Sequence, residues 1–240
     1  MTSWEHVHDW YDKEVGVKGH YFHEHLILPS LLKHLNKAES ILDLACGQGV
    51  LSRHLPKKTT YVGIDLSKSL INAAKKYRPP SSHQFFVGDV TSSLPIEKKD
   101  FSHCVIQLAF QNIENGQEVL RNAHSHLQLG GKLFLILNHP CFRIPRQTSW
   151  GIDTQKKLQF RRIDRYLSFL KIPITLGKQM TYSFHHPLST YTQWLHEAGF
   201  GIEWMEELTS NKKSSGKFSV MENRARSEFP LFLQIISFKR

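Results

Sequence analysis

The chain has 240 residues, 40% hydrophobic and 22% charged, a balance that suits a folded globular domain and excludes fibrous or disordered classes. Its first twenty residues are polar and charged throughout, and its longest purely aliphatic and aromatic run, 133–137, is far below the ~20 apolar residues of a membrane span, so neither export nor membrane insertion is expected. The net charge of +10 fits an anionic partner, nucleic acid included, but equally a solvated basic surface, because no five Lys or Arg are consecutive.

Residues 1–36 come first and lie outside any sheet pattern. They are dense in aromatic and histidine side chains, yet His20, His23, Glu24 and His25 meet neither of the helical zinc spacings, so no metal is expected. From residue 40 onward, short apolar runs at 40–45, 60–64, 84–87, 103–108 and 132–138 alternate with helical patterns at 49–55, 67–77, 116–126 and 188–198. Alternation of this kind is expected from five βα units in a parallel sheet. Two more strands, 201–206 and 231–238, close the chain; no helical pattern separates them, so the last should enter antiparallel. The polar stretch 209–229 between them reads as a flap or a disordered segment. An insertion, 139–186, follows the fifth strand and is rich in Arg and Lys. The expected fold is α/β: a Rossmann-like, seven-stranded, mostly parallel sheet with an antiparallel last strand and helices on both faces. Cys46, Cys104 and Cys141 are too scattered for a disulfide framework or a zinc site, which suggests a reducing, cytoplasmic setting.

The chemistry concentrates at the first strand. "ILDLACGQG" ends a buried strand in a turn whose Gly47 and Gly49 allow a ligand to approach bare backbone N–H groups. Dinucleotides and S-adenosylmethionine both use such turns, but the third glycine of the dinucleotide fingerprint is replaced by Ser52. Asp43, beside the turn, suits a ligand ammonium group better than a pyrophosphate. Asp65 ends the second strand, placed for ribose hydroxyls or as a helix N-cap, and Asp89 follows the third, placed for an adenine amino group.

"ILDLACGQG", "YVGIDLS", "FFVGDV" and "HCVIQLAFQNIEN", in this order, resemble the successive motifs of class I S-adenosylmethionine-dependent methyltransferases, close to the type 11 group. The later "HHPLSTYTQWLHEAGFGIEWMEE" and "PLFLQIISFKR" resemble the same group's closing helix and strands. The resemblance implies S-adenosylmethionine as cofactor. It places Asp43, Ala45, Gly47 and Gly49 at the methionine end, Asp65 on the ribose, Ile64 or Leu66 on the adenine face, Asp89 and the Val90 backbone at its edge, and Gln107 and Leu108 near the sulfonium. It also implies that 1–36 forms lid helices, with Tyr11, Tyr21 and His25 closing over the cofactor, and that 37–240 is the methyltransferase domain, with 139–186 covering the substrate. Ala45 stands where many members carry glycine, and "FQN" where relatives often carry His or Tyr.

His139 directly follows the fifth strand, so it is expected to point into the crevice as a general base or acceptor-orienting group. Arg161, Arg162 and Arg165 fit either an anion grip or an amphipathic helix with a solvated basic face, and Arg143 fits both equally. The expected function is methyl transfer to a small molecule with an anionic or aromatic part. Alternatives are an RNA or protein methyltransferase, a catalytically silent cofactor binder and, disfavoured by Ser52, an NAD-dependent oxidoreductase.

Overall fold

A computed structural model describes Glu5 and residues 15–240. A π-helical turn, His23–Ile27, runs without a break into helix α1, Leu28–Leu35, and where Pro29 offers no N–H the His25 carbonyl accepts instead from the Asn211 side-chain amide at 3.2 Å. There follow β1 (Ser40–Leu44), β2 (Thr60–Asp65), α2 (Lys68–Lys76), β3 (His83–Val87), β4 (Phe101–Gln107), α3 (Gly116–His126) and β5 (Leu127–Asn138). The remainder comprises β6 (Thr148–Asp153), β7 (Leu158–Ile163), β8 (Leu170–Leu176), β9 (Gln179–His185), α4 (Leu188–Glu197), β10 (Phe200–Leu208), α5 (Ser219–Glu228) and β11 (Phe232–Lys239).

Seven strands form one sheet in the order β10-β11-β5-β4-β1-β2-β3. The pairs among β1 to β5 are parallel, while β11 runs antiparallel to both β5 and β10. The pleat of β1 sends Leu42 and Leu44 to one face, where they join Val119 and Leu120 of α3 and Leu195 of α4. Ile41 goes to the other, with Leu28, Leu31 and Leu35 of α1 and Ile71 and Ala74 of α2. Both faces are thus covered by helices, which is why the strands read as nearly continuous apolar runs.

Four connections differ from expectation. The predicted helix at 49–55 is a single 3-10 turn, Leu51–His54, because Pro56 forces the preceding Leu55 into extended backbone. No helix links β3 to β4, so the regular βα alternation is broken there as well. The insertion is two β-hairpins, β6–β7 and β8–β9, not an amphipathic helix. Gly177, at φ 61°, makes a short turn between β8 and β9. Finally, 209–229 is only partly irregular, since α5 fills its second half. The end of α5 is held by packing that sequence does not display: the Phe229 ring lies 5.5 Å from Phe142 and 5.4 Å from Trp150 of the insertion.

Candidate active site

The carboxyl ends of β1, β2, β3 and β4 open into a cleft of about 410 Å³, walled on its far side by the β8–β9 hairpin. Ala45, Gly47, Asp65, Leu66, Asp89, Val90, Gln107 and Leu108 line it together, although they come from four separate loops. The turn after β1 is left-handed at Ala45, φ 59°, and Gly47, φ 56°, and is tied to β2 by the Cys46 N–H donating to the Ile64 carbonyl at 3.0 Å. The Asp65 carboxylate accepts from the Gly47 N–H at 2.8 Å and from the Ser67 N–H at 2.9 Å. Burial pushes its pKa above the ordinary carboxylate value, and those two hydrogen bonds pull it back. A carboxylate offers about four lone-pair sites, so two backbone donors leave capacity for a ligand's hydroxyls.

Leu66 is 44% exposed within the cleft, an apolar platform next to that acid. Asp89 is shaped by its own loop: Oδ1 accepts from the N–H and hydroxyl of Thr91 at 2.9 and 2.7 Å. The Oε1 of Gln107 is buried on the cleft wall without a hydrogen-bond partner among the described residues, a group that a bound polar ligand would satisfy. Leu108 adopts φ 54°, and its carbonyl accepts from the side-chain amides of Gln111 and Asn112 at 2.8 and 3.4 Å. The "FQN" stretch therefore fixes the loop after β4: Phe110 is buried in the core, Gln111 bonds the loop carbonyl, and Asn112 reaches the cleft. A carboxylate, a bare glycine turn, an apolar platform and an unsatisfied amide suit the ribose, amino-acid and adenine parts of S-adenosylmethionine.

Other expected residues lie elsewhere. Asp43 is 3% exposed and absent from the cleft lining; its carboxylate accepts from the Tyr61 hydroxyl at 2.6 Å, and burial lifts it to about 7. Gly49 faces inward: a Cβ there would sit 2.7 Å from the Phe85 ring. Ile64 is fully buried in the core. Tyr21 and His25 pack ring to ring at 4.6 Å, with Lys212 4.3 Å over Tyr21, and neither lines the cleft. Tyr11 lies outside the described residues.

The expectation that His139 opens into the crevice is not met. It is 4% exposed and does not line the cleft. Its Nδ1 accepts from the N–H groups of Cys141 and Phe142 at 3.2 and 3.4 Å, which puts the proton on Nε2 and directs it to Glu207 at 2.8 Å. The first turn of the insertion winds the chain back on itself, so the ring is spent on holding that turn to β10.

Sequence reasoning missed the far wall: Asn112, Glu114, Lys171, Tyr182 and Phe184. The Lys171 Nζ donates to both carboxylate oxygens of Glu114, at 3.2 and 3.0 Å, and lies 5.1 Å over Tyr182 and 5.4 Å over Phe184. Cross-strand register explains the cluster, because Lys171 pairs with Phe184 and Pro173 with Tyr182, putting these side chains on one face of the hairpin. The alternation in "TYSF" was the available signal, but it did not say which face met the cleft.

Residues 42–135 match the model of a family described as a methyltransferase domain. The chain is 27% identical over 187 residues to a ubiquinone biosynthesis O-methyltransferase from Coxiella burnetii, covering 74% of this chain and 72% of that protein. It is 30% identical over 101 residues to a demethylmenaquinone methyltransferase from Thermotoga maritima, covering 41% and 43%. In fold it is similar to an S-adenosylmethionine-dependent methyltransferase from Mesorhizobium loti, with a TM-score of 0.69 at 23% identity over 89% of this chain and 96% of that one. A second such enzyme, from Clostridium acetobutylicum, gives a TM-score of 0.56 at 17% identity over 89% of each chain.

Proposed function

We propose that this chain, which belongs to the class I S-adenosylmethionine-dependent methyltransferases and takes S-adenosylmethionine as its cofactor, methylates a small molecule held beneath the β8–β9 hairpin. One observation carries this reading: a single cleft joins the acid-bearing loops of β1 to β4 to a wall made by the insertion, so cofactor and acceptor would share one enclosure. On the cofactor side, Asp65 would take the ribose hydroxyls, Leu66 the adenine face, Asp89 and the Val90 backbone the adenine edge, and Gly47 the amino-acid end. Ala45, Gln107 and Leu108 would flank the sulfonium. Asp43, Gly49 and Ile64 would support this surface from behind, while α1, expected as part of a lid over 1–36, is packed on the sheet through Leu28, Leu31 and Leu35.

The cofactor supplies a methyl group already activated on sulfur, so the protein's task is to align the acceptor, which contributes up to ~7 to 11 kcal/mol in well-oriented systems. Tyr182 and Phe184 offer a flat aromatic wall and Lys171 a positive charge, which suits an acceptor with an aromatic ring and an anionic or hydroxyl group. The two relatives named for quinone biosynthesis support an aromatic or quinone-like acceptor of that kind. No histidine lines the cleft among the described residues, so an acceptor hydroxyl would pass its proton to Glu114, the carboxylate on the hairpin side, or to water. Nucleic acid is the less favoured partner, because Lys171 is the one basic side chain lining the cleft among the described residues, and it is paired with Glu114 beside Tyr182 and Phe184. No helix of the described residues is long and apolar enough to cross a membrane; with three free cysteines, we place the protein in the cytoplasm.

Calorimetric titration with S-adenosylmethionine, its demethylated product and NAD tests the cofactor side, and transfer of a labelled methyl group to hydroxylated aromatic and quinone acceptors tests the other. Micromolar binding of the first two and label in a small acceptor are expected. Binding of NAD alone, or label only in RNA or protein, would sink the proposal.

A further inference from the structure

A second cluster lies in the insertion, away from the cleft lining. The turn after β5 is fixed by the Arg143 N–H donating to the His139 carbonyl at 2.9 Å and by Ile144, buried against Leu170 and Ile172. The Arg143 side chain then crosses the Phe232 ring at 4.9 Å, and its Nη1 is buried without a hydrogen-bond partner among the described residues. Arg161 reaches the same turn from β7. Its Nε donates to the Phe142 carbonyl at 2.9 Å and its Nη2 to the Thr148 hydroxyl at 2.8 Å, while its guanidinium lies 4.9 Å over Trp150.

Neither guanidinium pairs with a carboxylate among the described residues, whereas Arg121 and Arg162 pair with Glu118 and Asp164. Two like charges on one turn, one of them desolvated, repel each other and lose hydration. Burial holds Arg143 down at about 10, and the charge of Arg161 adds to the effect. Stacking on Phe232 accounts for the guanidinium plane but leaves a buried donor unused, and the aromatic rings of Phe142, Trp150 and Phe229 keep the surroundings poor in acceptors. A bound anion would satisfy that donor and cancel the repulsion together.

We propose that Arg143 and Arg161 form an oxyanion site that holds the carboxylate or phosphate of a small molecule against the aromatic side chains of the insertion. Arg143 donates through its buried Nη1, and Arg161 through the Nη1 that its bonds to Phe142 and Thr148 leave over. The planar fork of arginine matches either oxyanion. The site does not rest on methyl transfer, since its ligand is read by binding alone.

The test titrates the full chain with sodium phosphate and, separately, sodium benzoate, against sodium chloride at matched ionic strength, following the arginine Nε–H resonances by NMR. Saturable shifts of Arg143 and Arg161 with phosphate, with benzoate or with both, at millimolar concentration, are expected; which probe acts separates phosphate from carboxylate ligands. Arg161→Gln, on a partly exposed strand, should weaken binding at least tenfold, and Arg143→Met should abolish it. If chloride produces the same shifts as both probes, or if Arg161→Gln binds as well as the parent, the site does not exist. The parent titration stands even where Arg143→Met fails to fold.

Discussion

The Tyr61 hydroxyl donates to Asp43 Oδ2 at 2.6 Å, joining two neighbouring parallel strands directly beneath the glycine turn. Burial raises both groups, Asp43 to about 7 and Tyr61 well above the usual phenol range, so the phenol remains a donor while the carboxyl titrates near neutrality. The acid that sequence suggested as a ligand group is therefore an internal strut of the turn.

That strut makes stability depend on pH. Between the ordinary carboxylate value of about 3.9 and the folded value of about 7, the folded state keeps a proton that the unfolded chain has lost, so stability falls as pH rises through this window. Asp43→Asn removes this slope. Urea denaturation at pH 5 and pH 8 should show the variant gaining on the parent at the higher pH; parallel behaviour at both would contradict the assignment.

Asp65 serves the turn and, on the proposed reading, the ribose. Asp65→Ala should weaken S-adenosylmethionine binding about tenfold or more through lost charge-assisted hydrogen bonds. Ser67→Ala is the control, since its hydroxyl caps α2 by accepting from the Leu70 N–H at 3.2 Å, and that loss should cost about 1 kcal/mol of stability with cofactor affinity kept. Calorimetry and thermal unfolding on both variants separate the roles; equal affinity in Asp65→Ala would leave it only a backbone anchor.

His139 and Glu207 should behave as a unit. His139→Gln is expected to destabilise the fold by about 1 to 3 kcal/mol, Glu207→Ala, which removes the acceptor from a more exposed side chain, by about 0.5 to 1.5 kcal/mol, and the double variant by less than the sum. Additive losses in denaturant titrations would mean the bond is not formed in solution.

The turn itself discriminates between its small residues. Gly49→Ala, at φ 70° with the Phe85 ring 2.7 Å from the added Cβ, should cost about 1 to 3 kcal/mol. Ala45→Gly relieves a left-handed alanine at φ 59° and should leave stability unchanged or raise it by up to about 1 kcal/mol. Thermal unfolding of the two variants checks the pair, and stabilisation by Gly49→Ala or destabilisation by Ala45→Gly would refute the geometry.

Much of the sheet could be read directly. The runs around Leu42, Val62, Val105 and Leu135 are short and apolar because both faces of a parallel sheet are covered, and the motif acids fall where those runs stop. Eight of the cofactor-side residues, most of them placed there by the resemblance to the methyltransferase motifs, do line the cleft. The placement of His139 failed because position after a strand gives proximity but not direction: one backward turn delivered its ring to Glu207.

The sequence by itself determined the parallel sheet, its reversed last strand and the acid-bearing loops, because these follow from hydrophobic period and local turn chemistry, which neighbouring residues dictate. Only the tertiary structure decided which face of the β8–β9 hairpin closes the cleft, that α5 docks on the insertion through Phe229, and that Arg143 and Arg161 meet at one turn with no carboxylate partner among the described residues. Those relationships join residues far apart in the chain, and burial and packing across the whole fold, rather than any local preference, select among the arrangements their sequences allow.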